Sequence, residues 1–303
     1  MTEINGYRLL GELKTTNSGF SRWGFAQRGA NRYFIKELID PVYPVYAGLL
    51  DPAVVAHKKA ICEAFEQRSA LLYNRINAAS DGNLVRVEEF FRWGSHYYLV
   101  MEKVEAIGLD DVQRIDAGDK LRICKALVHC LGRLHAAGIV HGDIKLDNIL
   151  FRRLPSGKVT GKLIDFDNCF WEVQPPRPDE EIHGDLVYMA PETFMMMQTE
   201  EGTIDRAIDV FALGVVFHQI FAGCLPGFDA RYDYPFEAVL DGRRLAVAEA
   251  VPAQWRDLIA RMLEGNRDRR VSLAEAEATL KRGEAAASSP VSGSSFFEIP
   301  GDL

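Results

Sequence analysis

His141-Gly142-Asp143-Ile144-Lys145-Leu146-Asp147-Asn148, read with Leu163-Ile164-Asp165-Phe166-Asp167, is the stretch that decides this chain. Asp165 follows Asn148 by seventeen residues, and each block borders a run of strand character, Ile149-Leu150-Phe151 and Lys162-Leu163-Ile164. An Asp or Asn alone is most often a turn former. Five such positions in order, flanked by strands, carry a chemical reading instead. A loose phosphoryl-transfer transition state needs positioning and charge stabilisation more than covalent help. Asp143 is placed to orient an attacking hydroxyl and accept its proton, and Lys145 to offset charge on the moving group. Asn148 and Asp165 supply the hard oxygen ligands that Mg²⁺ (or Mn²⁺) takes.

These blocks resemble the eukaryotic-type protein kinase family, and the resemblance spans about residues 7 to 280. Gly184-Asp185-Leu186-Val187-Tyr188-Met189-Ala190-Pro191-Glu192 resembles the end of the family's activation segment. Residues 208–228 resemble its long buried helix, with Asp209 bracing the catalytic-loop backbone and Arg270 pairing with Glu192. Tyr97 to Val104 resembles the fifth strand and hinge, which puts Met101 at the gatekeeper position and Glu102 to Val104 along the adenine edge of ATP.

The resemblance implies an α+β, bilobal protein-kinase-like fold. Residues 1–104 form a small β-rich lobe up to the hinge, 105–282 a larger α-helical lobe, and 283–303 a flexible tail. Phe296-Phe297-Glu298-Ile299-Pro300 in that tail is a candidate docking motif, and its serines are candidate phosphosites. Residues 119–140 read as an amphipathic helix with Leu127, Leu131 and Leu134 on its buried stripe.

Upstream the match loosens. Tyr33-Phe34-Ile35-Lys36 resembles the third strand, whose lysine bridges the α- and β-phosphates. Phe34 stands where the family has a small residue against the adenine ring. The glycine-rich loop is represented by Gly19 and Gly24 only, with Thr15 to Ser18 as supplementary donors to phosphate. Residues 57–76 read as a helix with Ile61, Phe65, Leu72 and Ile76 on one face. The partner of Lys36 is expected on it. Glu66 is the first choice and Glu63 the alternative, while a strict family register places Arg68 there. In the connection at 39–55, Pro41, Pro44 and Pro52 argue against regular structure, and it is a candidate contact for a regulatory partner protein.

Lysine two positions after Asp143 resembles the Ser/Thr branch, so protein serine and threonine hydroxyls are the expected acceptors. The combination of a stand-alone domain, His-Gly-Asp and Asp-Phe-Asp resembles bacterial Ser/Thr kinases of the eukaryotic type. Two rivals stand beside this reading. Aminoglycoside and choline phosphotransferases share the two blocks but commonly carry histidine at the position of Lys145 and lack the marks at 188–192, 209 and 270. A nucleotide-binding pseudokinase scaffold is suggested by the sparse glycine loop, Phe34 and Asp167, and opposed by the intact Lys36, Asp143, Asn148 and Asp165.

No Ser, Thr or Tyr lies between Asp165 and Val187, and Gly142 replaces the arginine that would receive an activating phosphate. The expected enzyme is therefore not switched by phosphorylation there. Asp185 has two readings, a partner for Lys145 or a turn aspartate. Asp167 replaces a hinge glycine and is a candidate metal-facing carboxylate.

A net charge of −8 disfavours nucleic acid and anionic membranes as partners. No run reaches the roughly 18 apolar residues that cross a bilayer, and the first residues lack a secretory pattern. The five cysteines form no C-x-x-C pair, which suits free thiols in the cytoplasm, with Cys169 the candidate reactive thiol.

Overall fold

A computed structural model describes residues 2–15, 21–45, 48, 51–177 and 184–288. Gly19 and the motif at 296–300 lie outside these residues. The N-terminal part is one antiparallel sheet of β1 (Glu3–Ile4), β2 (Tyr7–Leu9), β3 (Lys14–Thr15), β4 (Ser21–Arg28), β5 (Asn31–Leu38), β6 (Val87–Trp93) and β7 (His96–Glu102). Its order is β1-β2-β4-β5-β7-β6, with β3 paired to β4. Lys36 lies opposite Trp23 and Leu99, and Phe34 opposite Phe25 and Met101. Side chains alternate across a strand, so this register gathers Trp23, Phe25, Phe34, Lys36, Leu99 and Met101 on one face. The other face buries Ile4, Tyr7, Ala26, Ile35, Tyr98 and Val100 in a small core of its own.

One long helix, α1 (Pro52–Ala79), packs against the sheet. It starts inside the connection that the three prolines were expected to keep irregular. Pro52 occupies the first turn, where its missing N–H costs nothing, and Asp51 caps it by accepting from the Ala53 amide at 2.7 Å. The buried stripe also differs from expectation. Val55, Cys62, Ser69, Leu72, Tyr73 and Ile76 turn inward, whereas Ile61 is 48% exposed. Phe65 joins the inner side by packing edge-on to Tyr97.

The C-terminal part is helical: α2 (Leu109–Arg114), α3 (Ala117–Ala136), α4 (Pro191–Thr199), α5 (Ala207–Ala222), α6 (Pro235–Leu240), α7 (Ala253–Met262) and α8 (Leu273–Ser288). In α3, Leu127, Leu131 and Leu134 are buried as the periodicity predicts. α5 is strongly apolar and buried on nearly every side, so it lies at the centre of the lobe. Helix α8 runs to Ser288, so the change in chain character expected at 283 falls within a helix.

Two short ladders frame the loop that carries Asp143. β8 (Ile139–Val140) pairs with β11 (Phe170–Trp171), and β9 (Ile149–Arg153) pairs with β10 (Val159–Leu163). The result is the α+β, two-lobed arrangement that the sequence implied, with a β-rich N-terminal sheet and a helical C-terminal region. No helix among the described residues is long and apolar enough to cross a membrane.

Candidate active site

Asp143, Lys145 and Asn148 form one hydrogen-bonded group between β8 and β9. Lys145 Nζ donates to both oxygens of Asp143, at 2.8 and 3.1 Å. Asn148 Nδ2 donates to the Asp143 carbonyl at 2.8 Å and to its Oδ2 at 2.9 Å. With the amide nitrogen so committed, Oδ1 of Asn148 is presented as an oxygen donor. The 3₁₀ turn Leu146–Asn148 carries Asn148 back to this position.

The loop is held from below by Asp209 of α5. Its carboxylate accepts the amides of His141 at 2.8 Å and Gly142 at 2.9 Å, and receives His135 Nε2 at 2.8 Å. Burial works against its charge, but the His135 hydrogen bond and its other donors keep the carboxyl below the usual range. Gly142 has φ +77°, and a Cβ there would stand 2.6 Å from the Asn168 carbonyl. The absence of an arginine at this position is thus a packing requirement, because the backbone after Asp167 occupies the space.

Lys36 reaches across from β5 to the other lobe. Its Nζ lies 3.0 Å from Asp165 Oδ1 and 2.6 Å from Asp167 Oδ2. Desolvation opposes its charge, and the two carboxylates outweigh that and raise its pKa. Desolvation also opposes ionisation of Asp165, but Lys36 holds its carboxyl below the usual range. Asp167 goes the other way. Burial first, then the charge of Asp165, push it up to about 6.

The glutamate expected to pair with Lys36 does not. Glu66 accepts from the Tyr97 hydroxyl at 2.8 Å and lies 3.3 Å from Arg92 Nε. Glu63 is exposed and makes no ion pair among the described residues. The inward turn of the helix at that level carries Ser69 and Tyr73, both buried and neither carboxylic. The carboxylates that do lie on Lys36 come from the Asp165-Phe166-Asp167 segment. The available signal was the Asp-Phe-Asp triplet combined with a helix lacking glutamate on its buried stripe.

Geometry also bears on three readings of this segment. Asp185 does not meet Lys145; its Oδ1 accepts the Val187 amide at 3.0 Å, the turn reading. The left-handed backbone in this segment belongs to Asp165, at φ +63°, and not to Asp167, so the missing glycine removes no conformational freedom in this conformation. Cys169 is buried, and burial holds its thiol well above the usual value, against the reactive role.

Met101 is 5% exposed and lies opposite Phe34. Glu102 accepts from Lys162 Nζ at 2.5 Å and from the Arg86 amide at 2.7 Å, so its side chain is tied to the large lobe. Val104 packs against the main core. Phe34 stacks on Trp23 at 5.6 Å and meets Phe25 edge-on at 6.0 Å, which makes an aromatic roof beside Lys36.

Among the described residues no cluster of three or more His, Cys, Asp or Glu makes a metal site. The oxygen donors on offer are Asn148 and Asp165, a set that suits a hard cation completing its shell with waters and phosphate oxygens.

A fold with a β-rich lobe over a helical one, and with an Asp–Lys–Asn group facing a lysine–aspartate pair, is that of a protein kinase. The protein kinase domain matches residues 56–280, and the chain belongs to that family. It is 26% identical over 246 residues to the serine/threonine-protein kinase cds1 of Schizosaccharomyces pombe, covering 74% of this chain and 50% of that protein. It is 27% identical over 221 residues to the serine/threonine-protein kinase PAK mbt of Drosophila melanogaster, covering 69% and 33%. The chain thus spans half or less of the length of these curated relatives. The kinase PK-1 of Cydia pomonella granulovirus has a similar structure, with a TM-score of 0.63 and 19% identity over 88% of this chain and 91% of that one.

Proposed function

We propose that this protein transfers the terminal phosphoryl group of ATP to serine or threonine hydroxyls of protein substrates. The observation that carries the reading is the shared carboxylate of Asp143, bonded at once by Lys145 and Asn148 and lining a cavity with Gly142, Asp167 and Asp185. In this reading the substrate hydroxyl donates to Asp143, which takes the proton as the oxygen–phosphorus bond forms and the bond to the ADP oxygen breaks. Lys145 offsets charge on the transferring group. Lys36 anchors the α- and β-phosphates from above, and Met101, Glu102 and Val104 border the base. Asn148 and Asp165 would hold Mg²⁺ or Mn²⁺, which would supply charge neutralisation to the phosphates.

Regulation in this proposal does not run through phosphorylation of the activation segment. Residues 166–186 contain no hydroxyl side chain, and the Gly142 backbone leaves no room for a phosphate-binding arginine. A cytoplasmic setting suits the free, buried thiols of Cys62, Cys124, Cys130 and Cys169.

The test is transfer of labelled phosphate from ATP to the protein itself and to a mixed basic-protein substrate. Asp143→Asn is expected to lower the rate by about 10²- to 10⁴-fold, the range for loss of a general base. Phosphatase treatment of the wild type is expected to leave the rate unchanged. Nucleotide binding without transfer to any protein would overturn the proposal in favour of a pseudokinase, or of a small-molecule phosphotransferase if a metabolite hydroxyl is modified instead.

A further inference from the structure

We propose that Asp167 is the positioning residue for Lys36, doing from the large lobe what a carboxylate on α1 was expected to do. The inference rests on the phosphotransfer reading above. Three observations carry it. Lys36 Nζ is closer to Asp167, at 2.6 Å, than to Asp165, at 3.0 Å. Glu66 is already engaged by Tyr97 and Arg92, and the buried stripe of α1 holds no acid. The backbone of Asp167 is fixed from the other side, because the carbonyl of the next residue lies against Gly142, where even a methyl group would clash at 2.6 Å.

The arrangement has a consequence for the cation. A buried ammonium that loses its counter-charge is costly, so Lys36 must keep a carboxylate when Asp165 turns to a metal. Asp167 provides it. With both acids present, Asp165 is released to the cation while Lys36 remains charged and aimed at the phosphates. Without Asp167, a metal that draws Asp165 away leaves Lys36 with no carboxylate partner from the protein. The link between lysine and metal ligand then becomes a competition.

The experiment is a double-mutant cycle between Asp167→Asn and Lys36→Met, read as Mn²⁺ affinity of the ADP-bound protein by electron paramagnetic resonance and, separately, as kcat and KM for ATP. Asp167→Asn is expected to weaken Mn²⁺ binding about tenfold or more in the Lys36 protein and threefold or less in the Lys36→Met protein. It should also lower kcat more than it raises KM, with Asp167→Glu restoring part of the loss. Equal weakening in both backgrounds would make Asp167 a metal-facing ligand and overturn the proposal. So would no weakening, or a rise in kcat, which would make the pair a restraint. Melting curves of each variant separate these outcomes from unfolding. The Mn²⁺ cycle reads out even if no protein substrate is ever phosphorylated, so failure of the phosphotransfer reading and failure of this one are distinct results.

Discussion

Gly142 shows how much a single position decides. At φ +77° a residue with a Cβ is strained by about 1–2 kcal/mol before any contact is counted. The Asn168 carbonyl at 2.6 Å adds a clash that only movement of the 165–168 turn relieves. Gly142→Ala is therefore expected to lower the melting temperature by several degrees and to reduce phosphate transfer, because Asp165 and Asp167 sit on the displaced turn. A variant that melts and turns over like the wild type would remove the packing explanation for the missing arginine. The sequence showed that glycine stood there, but the reason needed coordinates, since Asn168 is twenty-six residues away along the chain. Lys36 is a parallel case. Its strand and its role were legible, while its partner depended on the rotation of α1, and the spacing of Ile61, Phe65, Leu72 and Ile76 suggested a rotation that buried Cys62 and Ser69 contradict.

Between elements, Arg270 is a tie with several arms. Its guanidinium holds both oxygens of Glu192 at the start of α4, at 2.6 and 3.0 Å, and donates to the carbonyls of Ala207 on α5 and Glu264 after α7. One side chain thus joins the end of the activation segment to the central helix and the C-terminal helices. Removing one partner of a buried pair typically costs about 3–5 kcal/mol, because the other is left charged and unsolvated. Arg270→Met is expected to lose stability on that scale in urea unfolding, and the double variant Arg270→Met, Glu192→Met to recover part of it. An exposed, weakly coupled pair would instead show additive losses below about 1 kcal/mol. This pairing was legible because both residues sit in recognisable stretches, whereas the His135–Asp209 contact beneath the catalytic loop had no sequence signal: α3 was read only for its leucines.

At the scale of the whole molecule, pH acts through buried imidazoles. His218 is fully buried; its Nδ1 is 2.8 Å from the Cys224 carbonyl and its Nε2 accepts the Ala248 amide at 3.0 Å, which fixes the neutral tautomer. Burial lowers its pKa, and does the same to His141 under Phe166. The unfolded chain takes up these protons near pH 6.5 and the folded chain only below it. Stability is therefore full above about pH 6.5 and falls as pH drops through that value, by up to about 1.4 kcal/mol per pH unit for each proton. Chemical-denaturation midpoints at pH 7.5 and 5.5 should show this fall, and His218→Asn should shrink it. Asp167, raised to about 6, takes up its proton in the folded chain over the same range and offsets part of the fall, so the decisive comparison is the variant: a fall that His218→Asn leaves undiminished would mean that this imidazole is not held neutral.

The main core crosses between the lobes. Leu72, Tyr73, Ile76, Leu99 and Met101 from the helix and sheet of the small lobe are packed in the same buried cluster as Leu127, Leu163 and Phe166 of the large one. The catalytic cleft is accordingly a notch cut into one body, with a sealed back wall, and not a joint between two. Heat should erase it as a single melting unit. A lesion deep among the C-terminal helices would be felt at Lys36 as lost protein before it was felt as altered chemistry.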